Sequence, residues 1–242
     1  MIGGAANGLD MTRMPGTSFG MTVPTTFNEL TNLVGDEFRK MPREAIAAII
    51  SLSAAIEVFI FVVRLNGGGR DPVVLGLGLI LMIGALAVSY LTSMRLIDAP
   101  KSLRGFGAYL GTTALTALPA TAGFALILAG RYFDNGYFTF AGIMLLLASL
   151  AITPLLYPWP LLQAVSPRFI GPREAFRRSA GMRGALLLTA IIFGVIARTD
   201  FRPDSTELTL MSVGAITVSL VVNVLSTLFA ISVSVAAFKR MN

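Results

Sequence analysis

Residues 45–63 read Ala-Ile-Ala-Ala-Ile-Ile-Ser-Leu-Ser-Ala-Ala-Ile-Glu-Val-Phe-Ile-Phe-Val-Val, with Arg43 and Glu44 before them and Arg64 after. A single ionisable side chain, Glu57, interrupts nineteen residues. At 1.5 Å per residue such a helix is about 28 Å long, close to the thickness of a bilayer's hydrocarbon core. A soluble helix would carry a polar face opposite its apolar stripe; this stretch has none, so it reads as a transmembrane helix. The same pattern returns at residues 73–91, 108–129, 185–197 and 208–238, and from Tyr137 to the proline cluster Pro154, Pro158 and Pro160. Of these, 185–197 is the shortest, and 208–238 is long enough to tilt or to extend past the bilayer. The expected architecture is all-α: a polytopic membrane protein of six transmembrane helices.

Composition agrees. The chain is 55% hydrophobic and 13% charged, with a mean hydropathy of +0.75; soluble domains carry about 25% charged residues. Six spans of about 20 residues use roughly half of 242 residues, which leaves only a tail and short loops. Cysteine and histidine are absent. That excludes disulfides, thiolate chemistry, Cys/His zinc sites and the usual haem ligand. The net charge of +6 comes from basic residues that flank apolar spans. It therefore points to the anionic cytoplasmic leaflet and not to nucleic acid.

The positive charges also orient the chain. With six spans, the N-terminal tail, the second and fourth loops and the C-terminus hold fourteen Lys and Arg, and the opposite side holds five. The positive-inside rule then places both termini in the cytoplasm. Three parts are expected: a tail at 1–25, an amphipathic interfacial helix at 26–43, and a six-helix domain at 44–242. The first 25 residues lack the apolar core of a cleavable signal, so the first span is expected to lead membrane entry.

Three sets of residues are candidates for function. Glu57 is the one acidic residue well inside a span, where an ionisable group normally faces the bundle interior or a partner. Arg64, two turns along the same face, is placed to reach back towards it. Asn223 lies in the middle of the last span, within a stripe of small and hydroxyl residues: Ser212, Ser219, Ser226, Thr227, Ala230 and Ser234. Together Glu57, Asn223 and Arg64 make a candidate polar site within the membrane; the plainer reading is a structural carboxyl and helix packing.

The second set opens with Thr26-Phe27-Asn28-Glu29, which fits a capping box. Phe27, Leu30, Val34, Phe38 and Met41 follow at helical spacing. Phe27, Leu30, Val34 and Phe38 form either an interfacial anchor or a face that docks a partner. The third set is basic. Pro172 suits the first position of a short helix, and Arg168, Arg173, Arg177 and Arg178 cluster around it, poised for lipid phosphates or an acidic partner surface. Just before it, Tyr157 and Trp159 suit the membrane interface.

The run Pro172-Arg173-Glu174-Ala175-Phe176-Arg177-Arg178-Ser179, between a proline-bearing helix and a turn with Gly181 and Gly184, resembles a group of bacterial six-helix membrane proteins. These are similar to the membrane domain fused to some glycerophosphodiester phosphodiesterases. The ending Val235-Ala236-Ala237-Phe238-Lys239-Arg240 resembles that group too. The resemblance covers the last 140 residues or so and implies a fold and a bacterial inner membrane. It implies no activity, because the hydrolase domain with its metal-binding carboxylates and His is missing, and the N-terminal segment departs from the pattern.

The function expected from these residues is that of a non-catalytic accessory, structural or assembly subunit of a larger bacterial inner-membrane complex, in contact with anionic lipids and other membrane subunits. No enzyme activity, cofactor, metal or nucleic acid is expected. The alternative is a small transporter or channel that uses Glu57 and Asn223 in a polar pathway.

Overall fold

The computed structural model describes the backbone of residues 25–65, 71–197 and 210–241, and of these the side chains of all but 64, 65, 193–197 and 210–212. The described residues are helical and include no strand. α1 spans Phe27–Arg39, α2 Arg43–Leu65, α3 Pro72–Leu96, α4 Leu103–Tyr132 and α5 Gly136–Ile152, which runs on into a 3-10 turn, Thr153–Leu156. Two short helices follow, α6 Trp159–Val165 and α7 Pro172–Arg178, then α8 Arg183–Ala197 and α9 Leu210–Met241.

Local chemistry sets the starts of these helices. At α1 the Glu29 N–H donates to Thr26 Oγ1 at 3.3 Å and the Thr26 N–H to Glu29 Oε2 at 2.9 Å, so each satisfies a backbone donor of the other. Asp71 accepts from the Val73 N–H at 2.8 Å and Pro72 takes the first helical position. Ser102 and Asn135 cap α4 and α5 in the same way.

Among the described residues, five helices are long and apolar enough to cross a membrane: Arg43–Val63, Pro72–Leu96, Leu103–Tyr132, Gly136–Leu156 and Val213–Met241. They make the chain a multi-pass membrane protein. The sixth expected span, residues 185–197, falls in α8, whose 15 residues measure about 22 Å, short of a bilayer's hydrocarbon thickness. Residues 198–209 and most of the tail, 1–24, lie outside the described residues.

Long-range polar contacts gather the basic segments at one end. Arg95, closing α3, pairs with Glu44, opening α2, at 3.2 Å. Lys239, closing α9, pairs with Glu37 of α1 at 2.9 Å. Arg104, opening α4, donates to the Pro167 carbonyl at 2.7 Å. The apolar core also sits at this end. It comprises Leu30 and Val34 of α1, Ile49 near the start of α2, Tyr90 and Met94 near the end of α3, Leu161 of α6, Leu186 of α8, and Leu228 onward in α9. Trp159, Ile170 and Ala175 complete it.

Further along the spans, contacts are of another kind. α4 and α5 form a tight hairpin at Gly123 and Gly142: a Cβ on Gly142 would stand 2.6 Å from the Gly123 carbonyl oxygen. The small residues let the two backbones meet. This hairpin joins the rest of the protein chiefly through the basic end, where α4 packs on α6. α2, α3 and α9 form a separate group. Only 6% of the apolar stretch of α3 is buried within the chain, against 28% in α9.

Candidate functional site

About 21 Å along α2 from its basic end, Glu57 turns into the α2–α9 contact, where only 4% of it stays exposed. Ser219 Oγ donates to Glu57 Oε1 at 3.2 Å, and Asn223 Nδ2 donates to the same oxygen. Residues 219 and 223 stand one turn apart on α9, so both donors converge on one carboxyl group. Thr227, the next turn along, donates instead to the Asn223 carbonyl at 2.9 Å. The structure therefore brings two of the three expected residues, Glu57 and Asn223, into direct hydrogen bonding. The third, Arg64, has a side chain outside the described residues, as does Ser212 of the stripe.

Chemically, the cluster brings a hydroxyl and an amide onto a carboxyl group in a membrane-length helix pair. Such bonds tie helices together in lipid, each contributing about 0.6 kcal/mol on average. Among the described residues, no three His, Cys, Asp or Glu side chains converge as a metal site would require.

The second candidate set is largely engaged inside the chain. Leu30 and Val34 are buried against Leu186 of α8 and Val233 of α9. Phe27 lines a small apolar cleft of about 50 Å³ with Val34, Thr189 and Phe229. Of the four residues expected to dock a partner or enter the interface, Phe38 alone is clearly exposed, at 39%. This packing has a physical cause: α8 and α9 offer α1 an apolar surface of their own.

The same face carries a residue that hydropathy reading passed over. Glu37 is buried at 4% exposure, and both its oxygens accept from Lys239 Nζ, at 3.0 and 2.9 Å. Lys40 Nζ adds a contact at 3.4 Å. The signal was present, because 30, 34, 37 and 41 form one continuous stripe and Glu37 interrupts it.

The basic loop divides its arginines. Glu174 Oε1 accepts from Arg178 at 2.6 Å and from Arg168 at 3.0 Å. Arg173 and Arg177 are exposed, and no ion pair engages either among the described residues. Arg183 stacks over the Phe176 ring at 3.8 Å and donates to the Phe176 carbonyl at 2.8 Å. Trp159, expected at the membrane interface, turns its ring into the chain. It is buried, and its indole N–H donates to the Ile170 carbonyl at 2.7 Å.

No family model matches the chain, and neither a curated protein nor a solved structure matches it.

Proposed function

We propose that this chain is a non-catalytic accessory or assembly subunit of a larger bacterial inner-membrane complex, with six spans, both termini cytoplasmic and α1 at the cytoplasmic face. The observation that supports this reading is the incomplete packing of its membrane-length helices. The apolar stretches of α2, α3 and α4 bury 11%, 6% and 11% of their residues within the chain. The α4–α5 hairpin stands apart from α2, α3 and α9 beyond the basic end. Helices this open present long faces to neighbouring chains and lipid. The one-sided basic residues support the orientation, with residues 185–197 of α8 as the remaining crossing. The likeness to the phosphodiesterase-linked membrane domain remains part of this proposal as a statement of fold.

The test is extraction from a native membrane in a mild detergent, followed by native mass measurement and identification of what co-elutes. A defined partner at fixed stoichiometry is the expected result. A lone monodisperse chain at every detergent concentration sinks the proposal.

A second reading, a small transporter or channel, draws on the buried Glu57–Asn223–Ser219 cluster between α2 and α9. Direct hydrogen bonding closes the distance that a polar pathway would have to open. Uptake assays on reconstituted Glu57→Gln protein decide it: a transport role requires lost uptake, and unchanged uptake removes Glu57 from any pathway.

A further inference from the structure

The loop between α6 and α7 is short, rigidly held and unusual in what it shows to its surroundings. Trp159 Nε1 donates to the Ile170 carbonyl at 2.7 Å. Gln163 takes hold twice: its Nε2 donates to the Arg168 carbonyl at 3.1 Å, and its Oε1 accepts from the Ile170 N–H at 2.6 Å. Arg104 braces the loop's start through the Pro167 carbonyl. Ile170 is thereby drawn inside, with 2% exposed, while its neighbour Phe169 is held out with 69% exposed. On either side of Phe169 in sequence stand Arg168 and Arg173, and Arg177 lies one turn beyond on α7.

Two features of this arrangement point to one kind of partner. Four hydrogen bonds fix the loop's backbone, and the Phe169 ring stands out from it. This suits the boundary of a bilayer, where an apolar ring can enter between head groups and acyl chains. The charges suit the same place. Glu174 engages Arg168 and Arg178, which leaves the exposed Arg173 and Arg177 as the cations that can meet an outside anion.

We infer that the clamped loop 166–171 and the arginine side chains of α7 form a docking site for anionic phospholipid, with Phe169 entering the head-group region and Arg173 and Arg177 binding lipid phosphate. The loop joins helices at the basic end, level with the ends of α3 and α9, so head groups lie within its reach. This site is independent of the subunit reading above. A lone chain that prefers anionic lipid would refute that reading and leave this one standing.

Full-length protein carrying Phe169→Trp is reconstituted in vesicles containing brominated phosphatidylglycerol or brominated phosphatidylcholine at equal mole fraction. Bromine quenches nearby indoles, and the buried Trp159 of the parent protein supplies the background. The expected result is stronger quenching by the anionic lipid. Adding Arg173→Gln and Arg177→Gln lowers that preference by about fivefold for each arginine lost. Glu174→Gln, which releases Arg168 and Arg178, raises it. Equal quenching by both lipids overturns the proposal, and so does a preference unmoved by the double substitution. Binding of inorganic phosphate that depends on Arg173 and Arg177, together with no preference between the two lipids, assigns these arginines to free phosphate and also overturns it.

Discussion

The basic end of this protein and the far half of its spans are held together by different forces. At the basic end, Leu161, Leu186, Val233 and Val235 are fully buried, around Trp159 and the Glu37–Lys239 pair. In the far half, the buried residues are small or polar: Gly123 against Gly142, and Glu57 with Ser219 and Asn223. The large apolar residues there, such as Leu75, Leu79 and Ile80 of α3, lie on the outside. Each half answers to its own solvent. Water at the basic end drives apolar side chains together. Lipid is as apolar as leucine and gives no such drive, so helices in it associate through close backbone contact and hydrogen bonds.

Substitutions in each half test this contrast. The largest expected effect is at the basic end: Trp159→Ala, which empties a buried site and frees the Ile170 carbonyl, lowers stability by about 3–5 kcal/mol in denaturant titrations of the reconstituted protein. Lys239→Met ranks next. It leaves the buried Glu37 carboxylate with Lys40 alone, for a loss of about 1–3 kcal/mol, and limited proteolysis should then release α1 from α9. In the far half, Gly142→Leu forces α4 and α5 apart and costs about 1–3 kcal/mol; spin labels on the two helices would report the separation.

The polar cluster is expected to contribute less. A double-mutant cycle on Glu57→Gln and Asn223→Ala should give a coupling of about 0.6 kcal/mol and no more than about 1.7. The smallest effect belongs to Leu79→Ala, within about 0.5 kcal/mol for the isolated chain. A loss matching that of Leu161→Ala would break the contrast, because α3 would then be packed as a core helix. A loss seen only in membranes containing the native complex would sharpen it, by marking the α3 face as a subunit contact.

How much was legible in the sequence follows the range of the force involved. Spans, caps and breaks depend on neighbours a few residues apart, so residues 45–63, the Thr26–Glu29 box and Pro172 at the head of α7 could be read directly. The polar character of Glu57 and Asn223 could be read as well. Their partnership could not, because 166 positions separate them and hydropathy does not report rotation about a helix axis. The inward turn of Trp159 could not be read for a related reason: which way an amphipathic ring faces depends on the partner its N–H finds, here the Ile170 carbonyl.

The sequence by itself determined an all-helical, membrane-embedded chain, because transfer of side chains to lipid is a property of each segment alone. Only the tertiary structure decided which faces stay open. α1 folds back onto α8 and α9, Glu37 finds Lys239 across 202 positions, and α4 and α5 pair with each other and stand off from the other spans. Those outcomes depend on competition among surfaces far apart in the chain, and no single segment carries the information to settle them.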